Sequence, residues 1–400
     1  MEKTYTELHT HLLGMMRAED LLLFAQKYTD YIYYPIEKNL DDVKRIIPIA
    51  DIFNDQKALN QLRIKKGTQV PDTYCNDIYA NRGILLDYLA NILCQKGKHK
   101  TNVNYDYQFI KDNYPNINEK YASLIYEDYI NLCLADLYNQ GVNYVEISNS
   151  SLKKIKNFKI DPYLEDKIKC RFLLSTDRAK RIKSMKSSAK LLREALENGN
   201  AVGFDIMGLE RPLTDIEKIY SKSEKSYSFK RKLEIIFEIL LKYENTALRI
   251  HSGENQASMD NTLLTLRYID EIANEMKLDY LPTEIRIGHG IHFNQSDEYL
   301  ELLKNYNCII EINASSNYAL SNISDYSQIP YDYYLDNDIP VLLSTDGHGL
   351  YETTIPEEDK IASQNTTNNQ YKRIIDTDNK ILRKKLIKWC LTFYTWQTII

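Results

Sequence analysis

Four short segments of this chain carry residues able to do chemistry together: His9-Thr10-His11, His251-Ser252-Gly253-Glu254, Gly288-His289-Gly290 and Ser344-Thr345-Asp346-Gly347-His348. They hold five of the seven histidines. Neutral imidazoles joined by a carboxylate form the donor set of a divalent metal site, so the expected chemistry is metal-assisted hydrolysis. His9 and His11 stand at i and i+2, which on a strand point to the same face. His251 would add a third nitrogen and Asp346 an oxygen, leaving a position for water. Zinc bound there would lower the pKa of that water to about 7. One zinc per chain is expected, and the same donors suit iron or manganese.

Glu254 lies three residues past His251, within reach of a substrate above the metal. A carboxyl sheltered from water has a raised pKa and can hand over a proton. Standing at a helix N-terminus would suit the same acid and is compatible with that role. His289 is placed to hydrogen-bond the attacking water, and Gly288 and Gly290 let backbone pass close by. Glu254, His289 and Asp346 are therefore the candidate catalytic residues. His348 follows Asp346 closely enough to line the pocket. His99 and His292 belong to no such segment and are expected at the surface or behind the site.

The elements that must position these residues form a regular alternation. Candidate strands run over Tyr5–Leu8, Asn143–Ser148, Cys170–Ser175, Val202–Ile206, Thr246–Ile250, Glu284–Ile287, Cys308–Ile312 and Pro340–Ser344. Most are short and apolar, as strands covered on both faces should be. Helical patterns separate them. Over Ser187–Glu197, Ala189, Leu192, Ala195 and Leu196 share one face, and Asn198-Gly199 suits a helix end. Eight such alternations predict a (β/α)8 TIM-type barrel with its site at the strand C-termini. The whole chain, 1–400, reads as a single hydrolase domain.

The gap between the first two strands far exceeds the roughly 30 residues of a βα unit. Residues 15–140 thus read as a large helical insertion, including a polar loop near Gly97–Asn116, that covers the barrel mouth as a lid or substrate-selecting cap. An oligomerisation or purely structural role, with the chain as a homo-oligomer, is an equal alternative. Ser221–Lys232 and Glu357–Lys380 are expected to be mobile surface segments.

Bulk composition excludes some partners. With 51 basic and 56 acidic residues the net charge is −5, which offers no footprint for nucleic acid and no polybasic membrane patch. No run approaches eighteen apolar residues, so a cytoplasmic protein is expected. The six cysteines are scattered without CxxC spacing and read as reduced thiols.

The combination of Glu7-Leu8-His9-Thr10-His11-Leu12 with Gly14, Gly203-Phe204-Asp205 with Gly208 and Glu210, His251 to Glu254, Arg286 to Gly290, Glu311 with Ser316-Asn317, and Ser344-Thr345-Asp346 resembles the adenosine deaminase type of the amidohydrolase superfamily. The likeness runs from residue 3 to about 350, apart from the insertion. It implies a zinc-dependent hydrolytic deaminase acting on a small-molecule purine. His9, His11, His251 and Asp346 would hold the metal, and His289 would assist the water. Glu254 would protonate the ring nitrogen beside the carbon attacked, and Gly208 would offer its N–H to another ring nitrogen.

Two departures bear on the substrate. Leu13 stands where nucleoside-acting members carry an Asp that contacts the ribose 5′-hydroxyl, and Gly347 stands where the family carries a second Asp that contacts the purine. Loss of a negative charge near the 5′ position favours AMP or dAMP over adenosine, deoxyadenosine or ATP. Arg17, Arg178 and Arg211 are candidate phosphate ligands, and His348 is the candidate replacement for the second Asp. With the cap, this pattern resembles nucleotide-acting relatives, including some of bacterial antiviral defence. An amidohydrolase for another aminopurine or amidine metabolite is the alternative. A catalytically silent nucleotide-sensing assembly subunit is a third reading, although it predicts lost ligands and none is lost.

Overall fold

The computed structural model describes residues 4–34, 45–96, 119–151, 158–199, 201–213, 228–278 and 280–397. Its centre is an eight-stranded parallel sheet. Strand β1 (Tyr5–His11) comes first, and a two-stranded antiparallel pair, β2 (Tyr31–Tyr34) and β3 (Arg45–Pro48), stands apart from the main sheet. The sheet continues through β4 (Val142–Asn149), β5 (Lys169–Asp177), β6 (Ala201–Met207), β7 (Ala247–Ser252), β8 (Glu284–His289), β9 (Ile309–Ile312) and β10 (Val341–Leu343). The order is β1-β4-β5-β6-β7-β8-β9-β10. A parallel bridge between Thr10 and Asp346 joins the last strand's end to the first and closes a (β/α)8 barrel. All eight strands expected from the apolar runs are present, and β1 extends through both of its histidines.

The seam between β1 and β10 is built from site residues. His11 N donates to Asp346 O at 3.1 Å, and Asp346 N donates to His9 O at 2.8 Å. One turn lower, the Glu7 carboxyl accepts from the Thr345 hydroxyl at 2.7 Å and from the His9 N–H at 3.0 Å. Burial pushes the Glu7 carboxyl up to about 8, so the seam carries little charge at neutral pH.

Side chains alternate along each strand. Leu8, Ile250, Ile287 and Ile310 are buried apolar residues, and the residues between them are polar and equally buried. Arg249 donates to Leu8 O at 2.7 Å and Asp205 Oδ2 at 2.8 Å, and it also meets the Ser148 hydroxyl. Arg286 donates to Glu311 Oε1 at 2.9 Å and to Glu146. Both guanidiniums are fully buried. A buried charge is tolerable only when paired and hydrogen-bonded, and these two meet four carboxylates, with Glu284 Oε1 3.0 Å from Arg286 Nε.

Between β1 and β4 the chain forms helices Ala18–Gln26, Ile49–Asn54, Gln56–Leu59, Asp72–Lys96 and Glu119–Asn139. The last two pack together. Buried Arg82, on the Asp72–Lys96 helix, donates to the carbonyls of Leu13 at 2.9 Å, Met16 at 2.6 Å and Leu62 at 2.6 Å. That clamp fixes the helix against the turn that follows β1. The expected loop near Gly97–Asn116 lies outside the described residues.

Two expectations need correction. Glu357–Lys380 is no mobile segment. It forms most of helix Ile355–Gln364 and the start of helix Asn368–Gln397. Glu358, Ala362 and Ile374 are buried, and Lys385 crosses the bottom of the barrel to within 3.0 Å of Glu146 and 3.1 Å of Glu284. Of Ser221–Lys232, residues 221–227 lie outside the described residues. From Phe229 the chain is the helix Phe229–Leu240, in which Lys232 is buried. Its apolar residues recur at helical spacing, which the local polarity concealed. Cys75, Cys133, Cys170 and Cys308 are free, buried thiols. Among the described residues no helix is long and apolar enough to cross a membrane.

Replacing Arg249 with Met should destabilise the protein by about 3–5 kcal/mol, because it leaves the buried Asp205 carboxylate unpaired. Denaturant unfolding measures this. A loss under about 1 kcal/mol would mean that the pair contributes little.

Candidate active site

The strand ends bring the expected metal donors together. One ring nitrogen each from His9, His11 and His251 lies within 4.8 Å of the other two, and all three residues are buried. Asp346 Oδ1 stands 3.2 Å from His11 Nε2 and 3.7 Å from His9 Nε2. Burial drives the His9 imidazole well below its usual range, with the Arg249 charge adding to the effect. Burial likewise pushes His251 down to about 3, against the pull of Asp205. Both rings are therefore neutral at neutral pH, the state a metal requires. His9 Nε2 is buried without a hydrogen-bond partner. Burial alone would raise the Asp346 carboxyl, but the His11 hydrogen bond and charge hold it below the ordinary carboxylate range. These four residues fit a divalent ion.

Supporting groups fix the donors. Glu311 Oε2 lies 3.1 Å from His9 Nδ1, and Asn313 Nδ2 lies 3.3 Å from the same atom. That arrangement turns the other ring nitrogen, Nε2, toward the site. Asp205 Oδ1 is 3.3 Å from His251 Nε2, and the Ser316 hydroxyl donates to Asp346 Oδ2 at 2.6 Å. A Cβ at Gly288 would come within 2.6 Å of the His9 ring, so the glycine leaves room for a ligand on another strand. His289 and Asp346 both adopt left-handed backbone, at φ 68° and 63°. Such conformations cost about 1–3 kcal/mol each in a non-glycine residue and concentrate at functional sites.

Glu254 stands on the opposite wall. Its carboxyl is pushed well above the usual range by burial, then by the negative charges of Asp72, Asp346 and Glu210. The Glu210 carboxylate accepts the N–H groups of Gly253 at 3.0 Å and Glu254 at 2.7 Å, which sets the turn. Gly253 is required there: its φ is +71°, and a Cβ would meet His292 O at 2.4 Å. His289 Nε2 lies 3.8 Å from Glu254 Oε1 and 3.3 Å from His251 Nδ1. Burial lowers the His289 pKa, leaving a neutral ring able to take up a proton.

A cavity of about 210 Å³ opens above these groups. His11, His251, Glu254, Asp346, Gly208 and Leu13 line it as expected. The phosphate-binding candidates do not. Arg17 lines a separate outer cavity with Asp20 and Lys27. Arg178 is buried, bonded to His251 O and 3.6 Å from Glu210, so its guanidinium is used inside the protein. Arg211 is exposed, and its carbonyl accepts from Asn261. His348 also turns away, with Nε2 3.1 Å from Asp136. Gly347 packs against Gly14 behind the lining. His292 is half-buried and pairs with Asn322 O at 2.8 Å, a role behind the site, while His99 lies outside the described residues.

Sequence reasoning gave no role to Asp205, Glu210, Glu311 or Ser316, and missed Arg249, Asp72 and Tyr79. A charge inside an apolar strand, as in Ala247-Leu248-Arg249-Ile250, was the available signal for the buried pairs. Nothing local marks Asp72 or Tyr79, which reach the cavity from the Asp72–Lys96 helix.

The adenosine deaminase family model matches residues 164–376, so the chain belongs to the adenosine deaminase family. An adenosine deaminase of Plasmodium gallinaceum is 26% identical over 360 residues, covering 88% of this chain and 78% of that protein. The N6-methyl-AMP deaminase of Arabidopsis thaliana shares the fold with a TM-score of 0.53 at 18% identity, over 92% of this chain and 88% of that one. A Burkholderia ambifaria amidohydrolase solved with bound Zn superposes with a TM-score of 0.52 at 14% identity, over 94% of this chain and 84% of that one. The chain is an adenosine deaminase-like hydrolytic deaminase, a hydrolase acting on amidine C–N bonds.

If the donors are assigned correctly, His9→Ala or Asp346→Ala should lower zinc affinity by at least about tenfold. Metal analysis after equilibration in a zinc buffer reads this. Full zinc content and activity in either variant would refute the assignment.

Proposed function

We propose that this protein is a zinc-dependent deaminase that converts the adenine ring of a nucleoside to hypoxanthine with release of ammonia. The observation that carries the reading is the placement of Glu254, whose carboxyl burial pushes well above its usual range, 3.8 Å from His289 and beside His9, His11, His251 and Asp346. Zinc held by those four residues would supply a Lewis acid and a water of lowered pKa. Glu254 donates its proton to the ring nitrogen beside the carbon under attack, which makes that carbon electrophilic. His289 accepts one proton from the water as its oxygen bonds to that carbon and passes it to the amino group, which leaves as ammonia, while the second proton of that water returns to Glu254 as the ring carbonyl forms. Gly208, at φ +102° beside Asp177, offers its backbone N–H to a second ring nitrogen. The Asp72–Lys96 helix serves as the cap over the base.

The lining also bears on the sugar. Among the described residues it contains no Lys or Arg, while Asp72 and Glu254 are acidic. Among those residues a phosphate gains no ion pair and meets the Asp72 carboxyl, which supports the unphosphorylated nucleoside where the sequence favours AMP or dAMP. The relative from Plasmodium gallinaceum, named an adenosine deaminase, agrees with this. A 5′-nucleotide is the second reading, supported by Leu13 in the lining where a carboxylate would exclude phosphate.

Two outcomes test the proposal. Glu254→Gln should abolish turnover of adenosine while zinc content stays at the wild-type level, because the amide keeps the shape and loses the transferable proton. Zinc lost along with activity would instead make Glu254 a ligand. The kcat/KM for adenosine should exceed that for AMP by about tenfold, the scale of one unfavourable charge contact. A ratio favouring AMP would establish the second reading.

A further inference from the structure

The Asp72–Lys96 helix turns Asp72, Cys75, Asn76 and Tyr79 toward the cavity, a spacing of three, four and seven residues that puts them on one helical face. Tyr79 is placed unlike the rest. Its hydroxyl enters the notch between Gly14 and Gly347, where a Cβ at Gly14 would lie 2.8 Å from the oxygen and one at Gly347 3.2 Å from it. The absence of a side chain at both positions makes room for this hydroxyl. The oxygen is buried and has no hydrogen-bond partner. A buried hydroxyl without a partner is costly, and such a group in a folded protein calls for a function or an unseen partner.

The barrel order locates Tyr79 relative to the base. Glu254 and Gly208 follow β7 and β6, the fifth and fourth strands of the closed sheet, whereas Gly14 and Gly347 follow β1 and β10, the first and eighth. The two sets lie across the barrel from one another. If Glu254 and Gly208 take two acceptors of the six-membered ring, the imidazole edge of the purine, with N7, faces Tyr79. His348, which sequence reasoning put in this position, is occupied with Asp136.

We propose that Tyr79 is a substrate-specificity residue whose hydroxyl donates a hydrogen bond to N7 of the bound purine. This rests on the deaminase reading above. Burial and the nearby Asp346 keep the hydroxyl protonated, so it is a donor throughout the neutral range. The Arg82 clamp on the carbonyls of Leu13 and Met16 holds the helix that carries it. A donor supplied by the cap in place of one following the metal carboxylate links base recognition to the seating of that helix.

Tyr79→Phe removes only the oxygen and keeps the packing. Zinc-loaded wild type and variant are assayed with adenosine and with 7-deazaadenosine, which has a C–H in place of N7. Wild type should prefer adenosine by about tenfold in kcat/KM, and the variant should reduce that preference to near one. The change should fall on KM, with kcat within about twofold and zinc content unchanged, because the contact exists before and during reaction alike. Equal discrimination by the two proteins, with adenosine turned over, would overturn the role of Tyr79 and leave the deaminase reading intact. Turnover of neither compound, nor of AMP, by wild type would overturn that reading and this proposal with it.

Discussion

Two arginines buried in the barrel interior set the terms for everything above them. Arg249 and Arg286 have no exposed surface, and each must meet carboxylates with well-formed hydrogen bonds to be tolerated. Asp205, Glu146, Glu284 and Glu311 meet that need. Two of these carboxylates also face the site: Glu311 stands against His9 and Asp205 against His251. The network that neutralises the buried cations therefore also aims two imidazoles, and its geometry is fixed before any ligand arrives.

Placement on strand ends does the rest. Glu7 and Arg249 lie two residues before His9 and His251, so the alternation of a strand stacks each candidate ligand on a member of the polar interior. The barrel closes through backbone bonds between His9, His11 and Asp346, which makes three candidate ligands part of the seam itself. The left-handed backbone of Asp346 is held by this closure. Burial then separates the titrations: the His251 and His289 imidazoles are driven down and the Glu254 carboxyl is driven up.

Most of this was legible in the chain. The eight strands announced themselves as apolar runs with a polar turn behind each, and the donor residues sat at their ends. The barrel's closure could be inferred because His9, His11 and Asp346 had to converge. What escaped notice has a common cause. Helix Asn368–Gln397 carries many charges, and its apolar stripe disappears among them unless the helical period is imposed. The arginine candidates for phosphate were chosen by nearness to strand ends, yet direction decides: Arg178 points inward to His251 O, and Arg211 points out to water. Tyr79 acquires meaning only when the helix after Asp72 is folded over Gly14 and Gly347, a contact between three distant parts of the sequence.

In the proposed reaction water replaces the amino group of an adenine ring in the cavity lined by Glu254, His11, His251 and Asp346. The most direct measurement is mass spectrometry of the nucleoside recovered after incubating zinc-loaded protein with adenosine in heavy-oxygen water. Inosine carrying one heavy oxygen, formed with an equal amount of ammonia and suppressed by chelation of the metal, is the result expected. Adenosine recovered unchanged with zinc bound, or a product whose oxygen does not come from the water, would contradict it.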